Sequence, residues 1–279
     1  MRKIPDIRLI ATDLDGTLLG DDHISVSERN ARALRAASEQ GIRLAIASGR
    51  TRSELAHVLE RLPFLDYLIQ ANGAAVTDLK SGRILLSDDI PYEQWVRLRS
   101  LLREYGAVYN TSGRGVSYIE SDVLPRYNRT DLSPEFVDSL RKCMPVVEDV
   151  TKTLAGKGAE KLCVLCCTPE ENYLPLREAL QRFGGLKVTS SIPGNFEINA
   201  AHVNKGAALA MLCEELGYKS DQVMAFGDAD NDVEMLRFAG HSYAMANAEP
   251  EVKASAKAVT AHCREDGVAQ AIERLLSEI

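Results

Sequence analysis

The sequence predicts an α/β protein whose parallel-sheet core comes from both ends of the chain and is interrupted by an inserted α+β module. Three observations predict it. Short apolar runs stop abruptly in polar, glycine-containing loops, as buried parallel strands do. Segments of helical period separate those runs, so the connections are crossovers. The rhythm breaks after about residue 76 and returns near residue 204.

The first apolar run, Leu9-Ile10-Ala11, ends in Thr12-Asp13-Leu14-Asp15-Gly16-Thr17. Ser25-x-x-Glu28 has the form of a capping box and predicts an alanine-rich helix over 27–40, closed by Gly41. Ile42 to Ala47 reads as a second strand, ending in Ser48-Gly49-Arg50, and Leu55, Val58, Leu59 and Leu62 share one helical face. Tyr67-Leu68-Ile69 is a third strand, followed by Asn72-Gly73. Lys80-Ser81-Gly82-Arg83 predicts a hairpin turn and 91–105 a helix. Irregular alternation follows, with turn signals at Gly113, Pro125, Pro145 and Gly156. Strands are expected at 161–167, 186–190 and 195–198, and a helix at 169–183. The regular rhythm resumes with a helix over 204–216 and a strand, Val223 to Phe226, that ends in Gly227-Asp228-Ala229-Asp230-Asn231-Asp232. Two more strands, at 243–245 and 258–260, and a closing helix over 267–278 complete the chain. The expected organisation is a core from 1–85 and 199–279 around an inserted module at 86–198.

The 279 residues suit about two domains at roughly 150 residues each. A net charge of −7 gives no general attraction for nucleic acid or an anionic membrane. No apolar run reaches the ~20 residues of a membrane helix, and the first eight residues lack the apolar stretch of a secretory signal. A cytoplasmic protein is therefore expected. Cys163, Cys166 and Cys167 fall in an apolar run without a second pair at zinc spacing, which predicts reduced thiols in a strand.

Ligands of open parallel sheets sit at the carboxyl ends of the strands, where the notable polar residues cluster. Asp13, Asp15, Asp228 and Asp232 bring up to four carboxylates to one crevice, which is unfavourable without a compensating cation or proton. Oxygen ligands without paired His or Cys favour a hard ion, Mg²⁺ foremost. Lys205 and Ser48 suit an anion such as a phosphoryl group brought against that metal. Together these are the parts for phosphoryl transfer.

Asp13-Leu14-Asp15-Gly16-Thr17 resembles the first motif of haloacid dehalogenase-like phosphatases. Ser48-Gly49-Arg50 is similar to the second motif, Lys205-Gly206 to the third and Gly227 to Asp232 to the fourth. Their order, the insertion between the second and third, Asn72-Gly73-Ala74 and the tail Met245-Ala246-Asn247-Ala248 resemble the Cof-type subfamily with a type IIB α/β cap. Ser48 stands where Thr is commoner, and Ala246 where the tail often has Gly. The resemblance implies a Rossmann-like core, with 86–198 as the cap that sets substrate specificity. It makes Asp13 the nucleophile that forms an aspartyl-phosphate and Asp15 the general acid and base. It implies Mg²⁺ held by Asp13, the backbone carbonyl of Asp15, and Asp228. Asp232 orients metal-bound water or Lys205, and Thr17 fixes the first turn. The backbone of Leu14 and Asp15, with Ser48 and Lys205, holds the phosphoryl oxygens; Gly49, Arg50 and Asn231 join the phosphate and substrate contacts. The implied partner is a small phosphorylated metabolite, a sugar phosphate or similar monoester, for a monomer or small homo-oligomer that binds neither nucleic acid nor membrane.

Simpler roles are expected elsewhere. Asp230 reads as a helix cap, Trp95 as packing within the insertion, and the five histidines show no ligand spacing. Phosphotransfer to another hydroxyl shares the same intermediate. A phospho-acceptor signalling domain lacks a second acid at Asp15 and an inserted module. Dinucleotide binding is disfavoured because no G-x-G-x-x-G follows the first strand.

Overall fold

The computed structural model describes residues 6–20, 22–126, 138, 141–167, 170–189 and 194–278. It is α/β. The first sheet has eight strands in the order β14-β13-β12-β1-β2-β3-β4-β5. These are β1 Leu9–Thr12, β2 Arg43–Ala47, β3 Tyr67–Gln70, β4 Ala75–Asp78, β5 Ile84–Ser87, β12 Val223–Gly227, β13 His241–Ala244 and β14 Ala258–Val259. From β14 to β3 every pairing is parallel; β4 and β5 add an antiparallel edge. β1 and β12 lie side by side with Thr12 opposite Phe226, so Asp13 and Asp228 leave the sheet at the same edge.

Helices cover both faces. α1 Glu28–Glu39 and α9 Gly267–Ser277 join one core with Ile10, Leu44 and Phe226. α6 Lys205–Leu216 and α7 Val233–Phe238 cover the other face, with Leu9, Ala45 and Ala225. α2 Ala56–Arg61 and α8 Pro250–Ser255 are single short crossovers. The expected capping box at α1 does not form. Ser27, not Ser25, accepts the N–H of Asn30 at 3.0 Å, while Ser25 is taken by the Asp22 carboxylate. Asp22, three residues before Ser25, competes better for it than the helix end does.

The second sheet has six strands in the order β10-β11-β9-β6-β7-β8. These are β6 Ala107–Gly113, β7 Val116–Glu120, β8 Val146–Val147, β9 Lys161–Cys167, β10 Leu186–Thr189 and β11 Phe196–Ala200. α3 Tyr92–Glu104, α4 Val150–Leu154 and α5 Tyr173–Phe183 accompany it, and Trp95, Leu98 and Leu102 of α3 are buried in its core. The turn expected at Gly113 lies one residue on, at Arg114-Gly115, both with positive φ, which is the two-residue hairpin that suits twisted strands. The first residue of the helix expected from 169 and the last of the strand expected to 190 lie outside the described residues. Cys163 and Cys167 are buried in β9 and every cysteine is a free thiol, as the apolar run predicted. No helix among the described residues is long and apolar enough to cross a membrane.

Candidate active site

The chain leaves β1 extended at Asp13, whose N–H bonds to the carbonyl of Phe226 at 3.0 Å. Leu14–Leu18 form an irregular turn in which Gly16 takes φ +75°. A Cβ on Gly16 would stand 2.3 Å from Asp228 Oδ2, so only glycine lets the two acidic loops approach. Thr17 donates to Asp228 Oδ1 at 2.7 Å, which ties the first turn to the loop after β12. The Leu14 side chain is fully buried in the core and anchors the turn from below.

Lys205 opens α6, whose end is capped by Asn204 accepting from Ala207 N–H at 2.7 Å. Its ammonium has no solvent exposure and donates to Asp13 Oδ1 at 2.6 Å and Asp232 Oδ1 at 2.7 Å. Asp232 spends its other oxygen on the N–H groups of Asp228 and Ala229, both at 3.0 Å. Burial lowers the affinity of Lys205 for its proton, but the two carboxylates more than restore it, and the pKa rises above the ordinary lysine value.

Asp13, Asp228 and Asp232 each offer a carboxylate oxygen, all within 4.8 Å of one another. Three carboxylates against one ammonium leave an excess of two negative charges. Burial and then the Asp232 charge push the Asp13 carboxyl well above its ordinary range. The same causes, in the same order, bring Asp228 up to about 7. Such strain fits a divalent cation: the donors are hard oxygens, the deficit is two charges, and Asp13 and Asp228 keep acceptor capacity that Asp232 has spent.

Asp15 faces the other way. Arg50 grips both its oxygens, through Nε at 2.9 Å and through a short contact from a terminal guanidinium nitrogen. His23 Nδ1 lies 2.8 Å from Oδ1, and the same Arg50 group donates to the His23 carbonyl at 2.7 Å. Burial raises the Asp15 carboxyl, but Arg50 and His23 overturn that and hold it well below the ordinary range. Arg50 is thus committed to orienting Asp15. Ser48 is buried, and its hydroxyl accepts the Arg50 N–H at 3.1 Å, leaving its own O–H to donate.

A small cavity of about 40 Å³ opens between the two sheets, lined by Asp13, Asp15, Gly49, Arg50, Glu197, Ala229 and Asn231. Of the residues singled out in the sequence, Asp13, Asp15, Gly49, Arg50 and Asn231 line it directly. Lys205, Asp228, Asp232 and Thr17 reach it through Asp13 or through one another. Asp230 is exposed and joins none of these contacts. In the sequence His23 is placed only by its nearness to the site loops, and Asn72 and Asn247 only as members of quoted motifs; nothing there marks Lys161 or Glu197. Asn247 lies in the quoted tail motif, donates to the Gly16 carbonyl at 2.8 Å and to Asp228 Oδ2 at 3.3 Å, and so braces both acidic loops. Glu197 comes from β11 of the second sheet, within the strand expected at 195–198, but nothing in the sequence marked the acid.

Comparison with known proteins agrees with this geometry. The family model of haloacid dehalogenase-like hydrolases matches residues 10–272. Over 275 residues the chain is 32% identical to the 5-amino-6-(5-phospho-D-ribitylamino)uracil phosphatase YcsE of Bacillus subtilis, covering 97% of this chain and 96% of that protein. It is 33% identical over 271 residues to an HMP-PP phosphatase of Escherichia coli, covering 94% and 93%. A haloacid dehalogenase-like hydrolase from Bacteroides thetaiotaomicron superposes with a TM-score of 0.81 at 28% identity, covering 96% and 99%. The chain belongs to the haloacid dehalogenase-like hydrolase family and is a phosphomonoesterase of that family, as its motifs implied.

Proposed function

We propose that this protein hydrolyses small phosphorylated metabolites in the cytosol, with Mg²⁺, through an aspartyl-phosphate on Asp13. The observation that supports it best is the state of Asp13. One oxygen is held by Lys205 at 2.6 Å, while the residue faces a cavity shared with Asp15. Asp13 attacks phosphorus in line, and the bond to the leaving oxygen breaks. Lys205 and the Ser48 hydroxyl take up charge developing on the phosphoryl oxygens; one such donor is worth about 3–4 kcal/mol in the transition state. Asp15 serves the proton steps: the proton it shares with His23 Nδ1 goes to the leaving oxygen, and its carboxylate then takes one from the water that displaces Asp13 from phosphorus. His23 Nδ1 beside it provides a partner with which that proton is shared. Asp13 and Asp228, with the Asp15 backbone carbonyl, are the residues that would hold Mg²⁺. When bound, the ion offsets the acid excess and polarises the phosphoryl group.

Residues 86–198 act as the cap in this reading, excluding water and carrying the side chains that distinguish substrates. The named substrates of the two relatives are consistent with a small phosphorylated partner for this chain. Purified protein with p-nitrophenyl phosphate and Mg²⁺ should turn over, Asp13→Asn should not, and mass spectrometry of the quenched wild type should show a phosphate on Asp13. Turnover by Asp13→Asn equal to wild type would overturn the reading.

A further inference from the structure

The second sheet meets the first over the loops that follow β2 and β3. Ser53 N–H donates to the Gly115 carbonyl at 3.0 Å, and the Asn199 amide donates to the Ala71 carbonyl at 2.9 Å. A further contact is made by Lys161 of β9, which is buried together with Glu197 of β11. The Lys161 ammonium donates to Glu197 Oε1 at 2.6 Å and to the Gly49 carbonyl at 2.5 Å. A Cβ on Gly49 would lie 2.9 Å from Glu197 Oε1, so glycine lets the ion pair rest against this loop. Burial weakens the hold of Lys161 on its proton, but Glu197 more than restores it, and the ammonium stays charged.

Glu197 accounts for a buried lysine, but not for the second bond that the lysine makes. Most of the loop after β2 is pinned by β3 and the turn beyond it. Ser48 N–H donates to the Ile69 carbonyl at 2.9 Å, Asn72 N–H to the Ser48 carbonyl at 3.0 Å and Ala71 N–H to the Arg50 carbonyl at 3.1 Å. The Gly49 carbonyl goes to Lys161 instead. That carbonyl belongs to the same peptide unit as the Arg50 N–H, which donates to Ser48 Oγ at 3.1 Å. The unit is therefore held at both ends, by a cation on its oxygen and by a hydroxyl on its nitrogen. Both bonds run the same way. The ammonium polarises the Gly49 carbonyl, and the polarised amide makes the Arg50 N–H a stronger donor. Ser48 Oγ, having accepted that bond, makes its own O–H a stronger donor in turn. The chain starts at a lysine of the second sheet and ends at the buried Ser48 hydroxyl, whose hydrogen is left to donate.

We infer that Lys161 is a positioning residue for phosphoryl transfer: seated on Gly49, it fixes and polarises the peptide that directs the Ser48 hydroxyl to a phosphoryl oxygen. The lysine comes from the inserted module, so this donor is complete only when the module is seated on the core. Lys161 touches no reacting atom and acts through Ser48. The role rests on the phosphatase reading, in which Ser48 holds phosphoryl oxygens, and adds to it a residue that none of the four motifs contains.

The test is a double-mutant cycle between Lys161 and Ser48, on the full chain with Mg²⁺ and p-nitrophenyl phosphate. It is built in a Glu197→Gln background, so that no buried carboxylate is left without its cation. With Ser48 present, Lys161→Met should lower kcat by about 10- to 100-fold, the scale of a misplaced catalytic group. In Ser48→Ala the same substitution should lower kcat by less than about threefold, because the donor it acts through is gone. A lysine that only stabilises the module would cost the same factor in both. Urea denaturation of the four proteins checks that each is folded. Should Lys161→Met not fold, Lys161→Gln in the same cycle removes the charge, keeps an amide, and should show the same coupling. Equal losses with and without Ser48, or no loss in either, would overturn the inference. Absence of turnover by wild type would instead strike the phosphatase reading.

Discussion

The two walls of the cavity handle buried charge in opposite ways. On the first-sheet wall, Asp13, Asp228 and Asp232 share one lysine, and two of them are driven towards protonation. On the second-sheet wall, Glu197 meets Lys161 one to one, and the surrounding amides all point the same way. Removing a charge should therefore relieve the first wall and injure the second. The difference also separates two tasks. An excess of hard oxygen donors calls for a cation, whereas a balanced pair makes no such demand.

The largest effect expected is on chemistry. Asp13→Asn should lower kcat by about 10,000-fold or more, since the amide cannot take up the phosphoryl group as the carboxylate does. Lys205→Met comes next, at about 100- to 1,000-fold in kcat from the lost phosphoryl donor. Single-turnover kinetics check both. If Lys205→Met raised KM alone, the lysine would serve ground-state binding and the contrast between walls would lose its catalytic half.

Stability gives the sharper version. Lys161→Met leaves Glu197 buried without its cation and should cost about 3–5 kcal/mol by urea denaturation, much of it recovered when Glu197→Gln is added. Asp228→Asn should do the reverse. With divalent ions chelated, it should gain about 1–3 kcal/mol near pH 7.5 because the acid excess is relieved, while activity is lost. A loss of stability in chelated Asp228→Asn would show that the first wall is balanced without an ion.

How much of this was legible in the sequence follows the same division. The first wall is built at the ends of parallel strands, where apolar runs stop abruptly, so Asp13, Asp15, Ser48, Lys205 and Asp228 announced themselves. The resemblance then fixed their order. The second wall arises from antiparallel strands whose buried faces mix Lys161, Glu197 and Asn199 with apolar residues. Each looked like an ordinary solvent-facing position in an alternating strand. Only the meeting of β9 and β11 over the Ser48–Arg50 and Asn72 loops turns them inward, and no local spacing records that contact. The fork of Arg50 on Asp15 required seeing two loops 35 residues apart brought together.

One group breaks the balance of the second wall and gives the smallest prediction. Glu160 precedes Lys161 but receives no bond from its ammonium. It accepts from Gly115 N–H at 3.0 and 3.1 Å and lies 3.4 Å from Gln70 Nε2. Burial outweighs these donors and pushes the Glu160 carboxyl up to about 7 from an ordinary 4.5. The folded state then binds this proton more tightly than the unfolded chain. Its contribution to stability is present below about pH 4.5 and is lost as the pH rises through about 7. The full loss amounts to about 3 kcal/mol at ~1.4 kcal/mol per unit. Glu160→Gln mimics the protonated acid and keeps an acceptor for Gly115. Urea denaturation at pH 5, 6.5 and 8 should show wild type losing stability relative to the variant as pH rises. Parallel curves would mean that Glu160 is as well compensated as Glu197, and the second wall would then be balanced throughout.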